Sequence, residues 1–455
     1  MRRLVLGLAV GLILVGGCSE GDVGKHGQTT PPPIVSVRPF RLADPNVVLL
    51  VSGGTNGLLE VCNCSGPMPG GLSRRGGLVY SYRAAFPHVF LLDLGDVFWV
   101  DPADLRNEYV LKGYARMGYD AVVLGDQEWA AGSKRLRDVL TPTGLTFLSS
   151  TVDCPGVKLA RVVKREWGEV KLAVVSDMRQ DAFRFLPKAA KDPLVVAPPA
   201  ELVEEVRKLK QAGYVVVLVA HAEAEAIEAA AARTEADLVL RGHTTRSESK
   251  VTRVAGKNVL KIGGSAKMGA VALKVVDGKI AEMDFRVEEI DRSWPMDRRL
   301  LSVYEAYAHA ALRKALDADR TSGLEYLPSA KCGSCHETQL ASWRKTRHAH
   351  AYATLQKAER TGDPNCLMCH TSGFGTVKGF YSYDKTPGLA NVNCQDCHRF
   401  NKAEHQKKGF EFPRVTLTIC VTCHTPVTDP SFRYGARRPK IKCPRTPVAA
   451  AKGTH

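Results

Sequence analysis

The stretch VVLGDQEWAAG, Val122 to Gly132, reads as a buried strand that stops at a glycine and then presents Asp126, Gln127 and Glu128 in a row. Runs this apolar belong to a sheet covered on both faces, and ligand groups in such sheets collect just past the strand ends. Five further stretches follow the same pattern: NVVLLVSGG, HVFLLDLGD, VKLAVVSD, YVVVLVAHAE and ADLVLRGHTT, each closing in a turn that bears Gly, Asp or His. Strands alternating with helical segments predict an α/β domain over residues 46–293, with mainly parallel sheets and flanking helices. Asp96, Asp126, His221 and His243 fall at these strand ends. Singly, each reads as a turn or capping residue; four at successive strand ends read as a metal site.

These strand ends, together with GGLSRRGGLV at Gly70 to Val79, resemble the metallophosphoesterase fold and within it the 5'-nucleotidase branch. The resemblance implies a sandwich of sheets with flanking helices. It also implies hydrolysis of phosphate esters by two metal ions that clamp the attacking and leaving oxygens. Carried over residue by residue, Asp96 matches the bridging carboxylate, and Asp126 stands where the family has asparagine. His221 and His243 complete one metal position. The other position loses its ligands: the Asp-x-His expected after the first strand is Ser52-Gly53-Gly54, and a later histidine is Thr245. The histidine that assists the reacting phosphate is Gln127, which transfers no proton at neutral pH. One metal and no hydrolysis is therefore the expectation.

The cysteines point elsewhere. Nine of the thirteen follow Lys331, and eight of these form four CxxCH motifs: Cys332-Cys335-His336, Cys366-Cys369-His370, Cys394-Cys397-His398 and Cys420-Cys423-His424. Two thiols one helical turn apart bond covalently to haem vinyl groups, and the adjacent histidine supplies an axial nitrogen to the iron. Structural zinc shares the paired-cysteine spacing but has no use for a histidine after every pair. The expectation is four covalently bound haem c groups. His348, His350 and His405 are the candidate distal ligands to haem iron, with His309, Cys443 or an open position for the fourth. His348 and His350 sit in SWRKTRHAHAYATLQKA, which reads as one helix, and residues two apart on a helix point to different sides. The segment from Tyr326 to about Lys442 resembles the tetrahaem cytochrome c family of nitrifying bacteria in the order and spacing of YLPSAKCGSCH, SWRKTRHAHAY, DPNCLMCHTSGFG, LANVNCQDCH and CVTCHTPVTDPSF. That resemblance implies distal-ligand roles for His348 and His405. The family's closing Pro-Lys-Ile-Lys-His ends here in Cys443.

At the other end, Arg2 and Arg3 precede an apolar run and then Val15-Gly16-Gly17-Cys18, a signal-peptide pattern that resembles the bacterial lipobox. It implies residues 1–18 as a signal, a lipid on Cys18, export to the cell envelope and a membrane anchor. Residues 19–45, with Pro31-Pro32-Pro33, read as a flexible tether. WPMDRRLLSVYEAYAHAALRKALDADRTSG reads as a connecting helix within 294–325, leaving 326–443 for the cytochrome domain, mainly α and loop-rich, and 444–455 as a tail. Of the net charge of +16, most lies after Leu327, where 20 Lys and Arg face 8 Asp and Glu. Haem propionates account for that surplus without a polyanionic partner, and no aromatic platform or groove-reading helix accompanies it. Redox partner proteins are thus expected, and nucleic acid is not. Cys62 and Cys64 leave three readings open: soft metal ligands, a redox-active thiol pair, or a disulfide with Cys154 or Cys443 as partners.

Overall fold

The computed structural model describes residues 30–444 apart from 62–67, 100, 102, 184–185, 187, 192, 223, 244–248, 263, 318–324, 377, 425–427 and 430. Cys18, Cys62, Cys64, Thr245 and His455 therefore lie outside the described residues.

The strands in chain order are β1 Val47–Ser52, β2 Val89–Asp93, β3 Ala121–Val123, β4 Phe147–Leu148, β5 Val152–Asp153, β6 Val163–Trp167, β7 Val170–Asp177, β8 Val195–Val196, β9 Val215–Ala220, β10 Leu238–Arg241, β11 Lys250–Val254, β12 Lys257–Lys261, β13 Lys267–Val276 and β14 Lys279–Glu289. All six apolar runs form strands. One sheet has the order β14-β13-β1-β2-β3-β4 and the other β11-β12-β10-β9-β7-β6, with β5 and β8 forming a small ladder apart. In the first, β1 to β4 run parallel and β13 and β14 antiparallel. In the second, β7, β9, β10 and β12 run parallel, with antiparallel β6 and β11 at the edges.

Strand alternation explains why these runs are apolar at every position. Val47, Leu49 and Val51 of β1 meet Val215, Val217 and Val219 of β9 in the core between the two sheets. The intervening Val48 and Leu50 face helices Leu72–Ala85 and Arg106–Met117. On the far side Val216 and Leu218 face helices Pro199–Gln211 and Ala224–Arg233. The result is four layers, helix, sheet, sheet, helix, and each buried Val or Leu contributes about 1.5–3 kcal/mol.

The expected tether docks in part. Val35, Val37 and Phe40 pack on the core, and Val35 N–H donates to Ser81 Oγ at 3.1 Å. Alternating apolar residues give this stretch a buried face even without a strand partner. The connecting helix spans Arg298–Asp317, and its expected end near Gly323 lies outside the described residues. It packs on both sides: Leu300, Tyr304 and Tyr307 join the core beneath the first sheet, and the Tyr304 hydroxyl donates to the buried Asp363, which caps helix Pro364–His370 in the segment after residue 324. Helix Leu72–Ala85 approaches the start of the connecting helix so closely that a Cβ on Gly77 would lie 1.9 Å from the Pro295 carbonyl oxygen.

After residue 324 the chain is short helices and loops. Tyr352, Leu355, Leu367, Phe380, Leu389 and Ala390 form its one small core cluster among the described residues. That is little apolar burial for more than a hundred residues, and domains so built need covalent or metal staples. The stretch expected as one helix is broken into Glu337–Arg344, a tight turn at Arg347–His350, and Ala351–Lys357. Among the described residues no helix is long and apolar enough to cross a membrane.

Candidate metal centre and haem attachment region

Asp96 follows β2, Asp126 follows β3, His221 follows β9 and His243 follows β10, so each sheet contributes two side chains at its carboxyl edge. The structure brings all four together, with one ligand atom from each within 4.8 Å of the others. His221 Nε2 lies 3.1 Å from Asp126 Oδ1 and 3.3 Å from Asp96 Oδ1, and His243 Nδ1 lies 3.0 Å from Asp126 Oδ1. His221 Nδ1 faces the Leu94 carbonyl at 3.0 Å, which leaves Nε2 free to ligate. Asp96 and His243 hold left-handed backbone at φ 58° and 52°, a conformation costly for residues with a side chain and concentrated at functional sites. Glycines make the room: a Cβ on Gly125 would meet Asp96 Oδ1 at 2.4 Å, and one on Gly242 would meet His221 Nδ1 at 2.6 Å.

The two carboxylates raise the affinity of His221 for protons well above the imidazole range, despite its complete burial, and Asp126 raises that of His243. Contact with both imidazoles holds Asp126 well below the usual carboxylate range. Asp96 Oδ1 is buried with only His221 Nε2 facing it, at 3.3 Å and outside good hydrogen-bond geometry. A carboxylate oxygen so poorly satisfied among two histidines and a second carboxylate fits one divalent cation of the zinc or manganese class.

Glu128 is the supporting residue that sequence reasoning passed over. Its buried carboxylate accepts from the N–H groups of Asp96, Phe98 and Gly125 at 3.0, 2.7 and 2.7 Å, tying the two acid-bearing turns together. Burial, and then the Asp96 carboxylate, push its pKa up to about 8. Its place in the quoted GDQE run was the available signal.

The position expected to lack metal ligands is filled by a hydrogen-bonded cluster. Ser52 Oγ donates to Asp93 Oδ2 at 2.6 Å, and Tyr114 OH donates to the same oxygen at 2.8 Å. The fully buried Arg75 donates from Nη1 to Thr55 Oγ1 and to Tyr114 OH, both at 2.9 Å. Gln127 Nε2 donates to Asn56 Oδ1 at 2.8 Å, so the residue standing for the proton-transferring histidine is held by the loop after β1. No second group of metal-ligating side chains occurs among the described residues.

In the segment after residue 324 the four motifs lie against one another, the third adjoining the fourth through the helices Cys394–Cys397 and Leu417–Cys420. The Cys332 and Cys394 thiols are in hydrogen-bond contact, as are those of Cys369 and Cys423, so the first motif adjoins the third and the second adjoins the fourth. The His336 and His405 rings lie 6.0 Å apart at 22°, and those of His348 and His424 lie 6.2 Å apart. Two imidazoles each about 2 Å from a shared iron put their ring centres on the order of 6 Å apart, so both pairs fit the axial positions of a haem. His350 is not brought to any motif histidine; it is exposed, and its Nε2 faces the Arg344 carbonyl at 3.1 Å. His309 is exposed on the connecting helix. His370 Nδ1 faces the Ala351 carbonyl at 2.7 Å. Cys443 lines a cavity of about 110 Å³ together with His348, Cys394, Cys397 and His398. Cys154 and Cys443 are in no disulfide.

Residues 331–399 match the family model described as cytochrome c554 and c-prime. Cytochrome c-554 of Nitrosomonas europaea is 32% identical over 159 residues, covering 27% of this chain and 66% of that protein. The chain thus spans just under two thirds of that relative's length. The remainder is similar in fold to solved hydrolases. A sulfate thiohydrolase of Thermus thermophilus superposes with TM-score 0.53 and 19% identity, over 64% of this chain and 63% of that one. A 5'-nucleotidase precursor from the same species gives 0.51 and 18%, over 76% and 73%. A calcineurin-like phosphoesterase of Bacillus subtilis gives 0.50 and 16%, over 59% and 98%. The chain therefore joins a calcineurin-like phosphoesterase fold to a C-terminal segment similar to cytochrome c554.

Proposed function

We propose that the protein is an exported, lipid-anchored tetrahaem c-type cytochrome that transfers electrons, carrying a phosphoesterase-like domain reduced to a single metal position. The observation that carries this reading is the pairing of motifs, first with third and second with fourth, with two histidine pairs at axial spacing. Haem c, when bound, supplies a one-electron couple at each motif. The chain's own part is to attach each group through two cysteines, to ligate it from His336, His370, His398 or His424, and to cap two of them from His405 and His348. Redox partner proteins exchange electrons with this region. In the first domain, Gln127 in place of histidine and Ser52-Gly53-Gly54 in place of ligands argue against hydrolysis.

A second reading, a metal-dependent phosphoesterase carrying a cytochrome module, is favoured by the intact cluster of Asp96, Asp126, His221 and His243. Both readings meet one experiment. The full-length protein, purified from membranes with its haem, is assayed for haem content, for stopped-flow reduction by dithionite and reoxidation by a soluble cytochrome, and for release of phosphate from nucleotides with manganese. Four haems per chain, reversible electron exchange and no phosphate release are expected. A haem count below four, or manganese-dependent turnover of a nucleotide, overturns the reading.

A further inference from the structure

The four motif histidines differ in what faces the ring nitrogen that iron leaves free. His424 Nδ1 lies 3.0 Å from Asp429 Oδ2, and this carboxylate is itself held from its other oxygen by Ser431 Oγ at 3.1 Å. Phe432 stacks on the His424 ring at 4.6 Å and 14°, fixing the plane in which Nδ1–H points at Asp429. The His348 ring centre lies 6.2 Å from that of His424. The carboxylate side chain is largely covered, at 16% exposure. By contrast, His370 Nδ1 faces a backbone carbonyl, and His398 Nδ1 is buried with no partner. Among the described residues, none of the other three motif histidines has a carboxylate at this nitrogen.

A carboxylate that accepts the Nδ1 proton makes the imidazole a stronger electron donor through Nε2, and a stronger donor favours the ferric state. A carbonyl does so less, and an unpartnered Nδ1 least. We infer that Asp429 is a positioning residue that gives the fourth-motif haem the lowest reduction potential of the four, making it the last to be reduced and the first to pass its electron on. The fourth motif adjoins the second through Cys369 and Cys423 and the third through the helices Cys394–Cys397 and Leu417–Cys420, so its electron passes to one of these two neighbours. The inference rests on the tetrahaem reading.

The test is a potentiometric titration of the purified holoprotein, followed optically and by EPR, after haem content has been counted. Asp429→Asn keeps shape and an acceptor but removes the charge; the lowest midpoint is expected to move positive while the other three stay within error. Asp429→Glu is expected to restore it. His348→Met marks the fourth haem by changing its EPR signal, and the midpoint that moves in Asp429→Asn must belong to that signal. With four haems counted, an unmoved lowest midpoint, or movement of a different haem, overturns this inference and leaves the tetrahaem reading standing. A count below four defeats that reading instead. Should Asp429→Asn lose haem, the wild-type titration still decides, because a His348-marked signal that is not the lowest refutes the assignment.

Discussion

Replacing Arg75 by methionine tests the buried cluster that stands where one metal position is missing. Arg75 is 1% exposed, donates to Thr55, Tyr114 and the Ser265 carbonyl, and is the cation that offsets Asp93 through Tyr114. Methionine keeps the volume and removes the charge. Taking away one partner of a buried charged pair costs about 3–5 kcal/mol, and a domain of this size loses roughly 2–4 °C of Tm per kcal/mol, so a drop of about 6–20 °C is expected. The loss must depend on pH. Burial pushes Asp93 up from 3.8 to about 6, so the native state holds a proton that the unfolded chain releases. Stability is therefore lost as pH rises through that window, by about 3 kcal/mol in the wild type. Without Arg75 the folded pKa climbs further, so the variant should approach the wild type near pH 5 and fall furthest behind at pH 8. Adding Asp93→Asn should remove most of the pH-dependent part. Far-UV circular dichroism during thermal and urea unfolding of the holoprotein reads all of this. A variant within about 0.5 kcal/mol of wild type at pH 8, or a deficit equal at both pH values, refutes the reasoning.

Three other outcomes are expected. Elemental analysis after dialysis against zinc or manganese should give one divalent metal per chain beyond haem iron; His221→Ala should abolish it, together with the roughly 3 kcal/mol of stabilisation that a hundredfold excess over Kd provides. His405→Ala should turn one of four haems from low-spin to high-spin by EPR, whereas His350→Ala should leave the spectrum unchanged, since His350 turns to the Arg344 carbonyl. Tyr304→Phe removes the hydroxyl bonded to buried Asp363 and should cost about 1–3 kcal/mol, seen in calorimetry as the two domains beginning to melt apart.

The six strands were legible because parallel strands buried on both faces leave no polar position, and the clustering of Asp96, Asp126, His221 and His243 was legible because strand ends are where such folds put chemistry. Glu128 was not, since its role lies in three backbone N–H groups from two different turns, and no side-chain pattern records those contacts. The docking of Val35, Val37 and Phe40 was hidden by the prolines beside them, which speak for an extended chain and say nothing of what it lies against. The four CxxCH motifs were plain from local spacing. The approach of the His348 ring to that of His424 spans 76 residues of chain and only geometry supplies it, and the helix expected through both His348 and His350 is replaced there by the turn Arg347–His350.

The small core of the cytochrome domain has a consequence for how the protein is made. With six residues in its apolar cluster, and Met368, Phe412, Leu417 and Val421 exposed, the polypeptide after residue 324 holds too little of its own interior to close early. The phosphoesterase-like domain, with its larger buried clusters, is expected to fold before that segment does. The order expected from packing is that the first domain sets through its sheets, the connecting helix lies down on it, and the last third becomes a structure on covalent attachment at its CxxCH motifs.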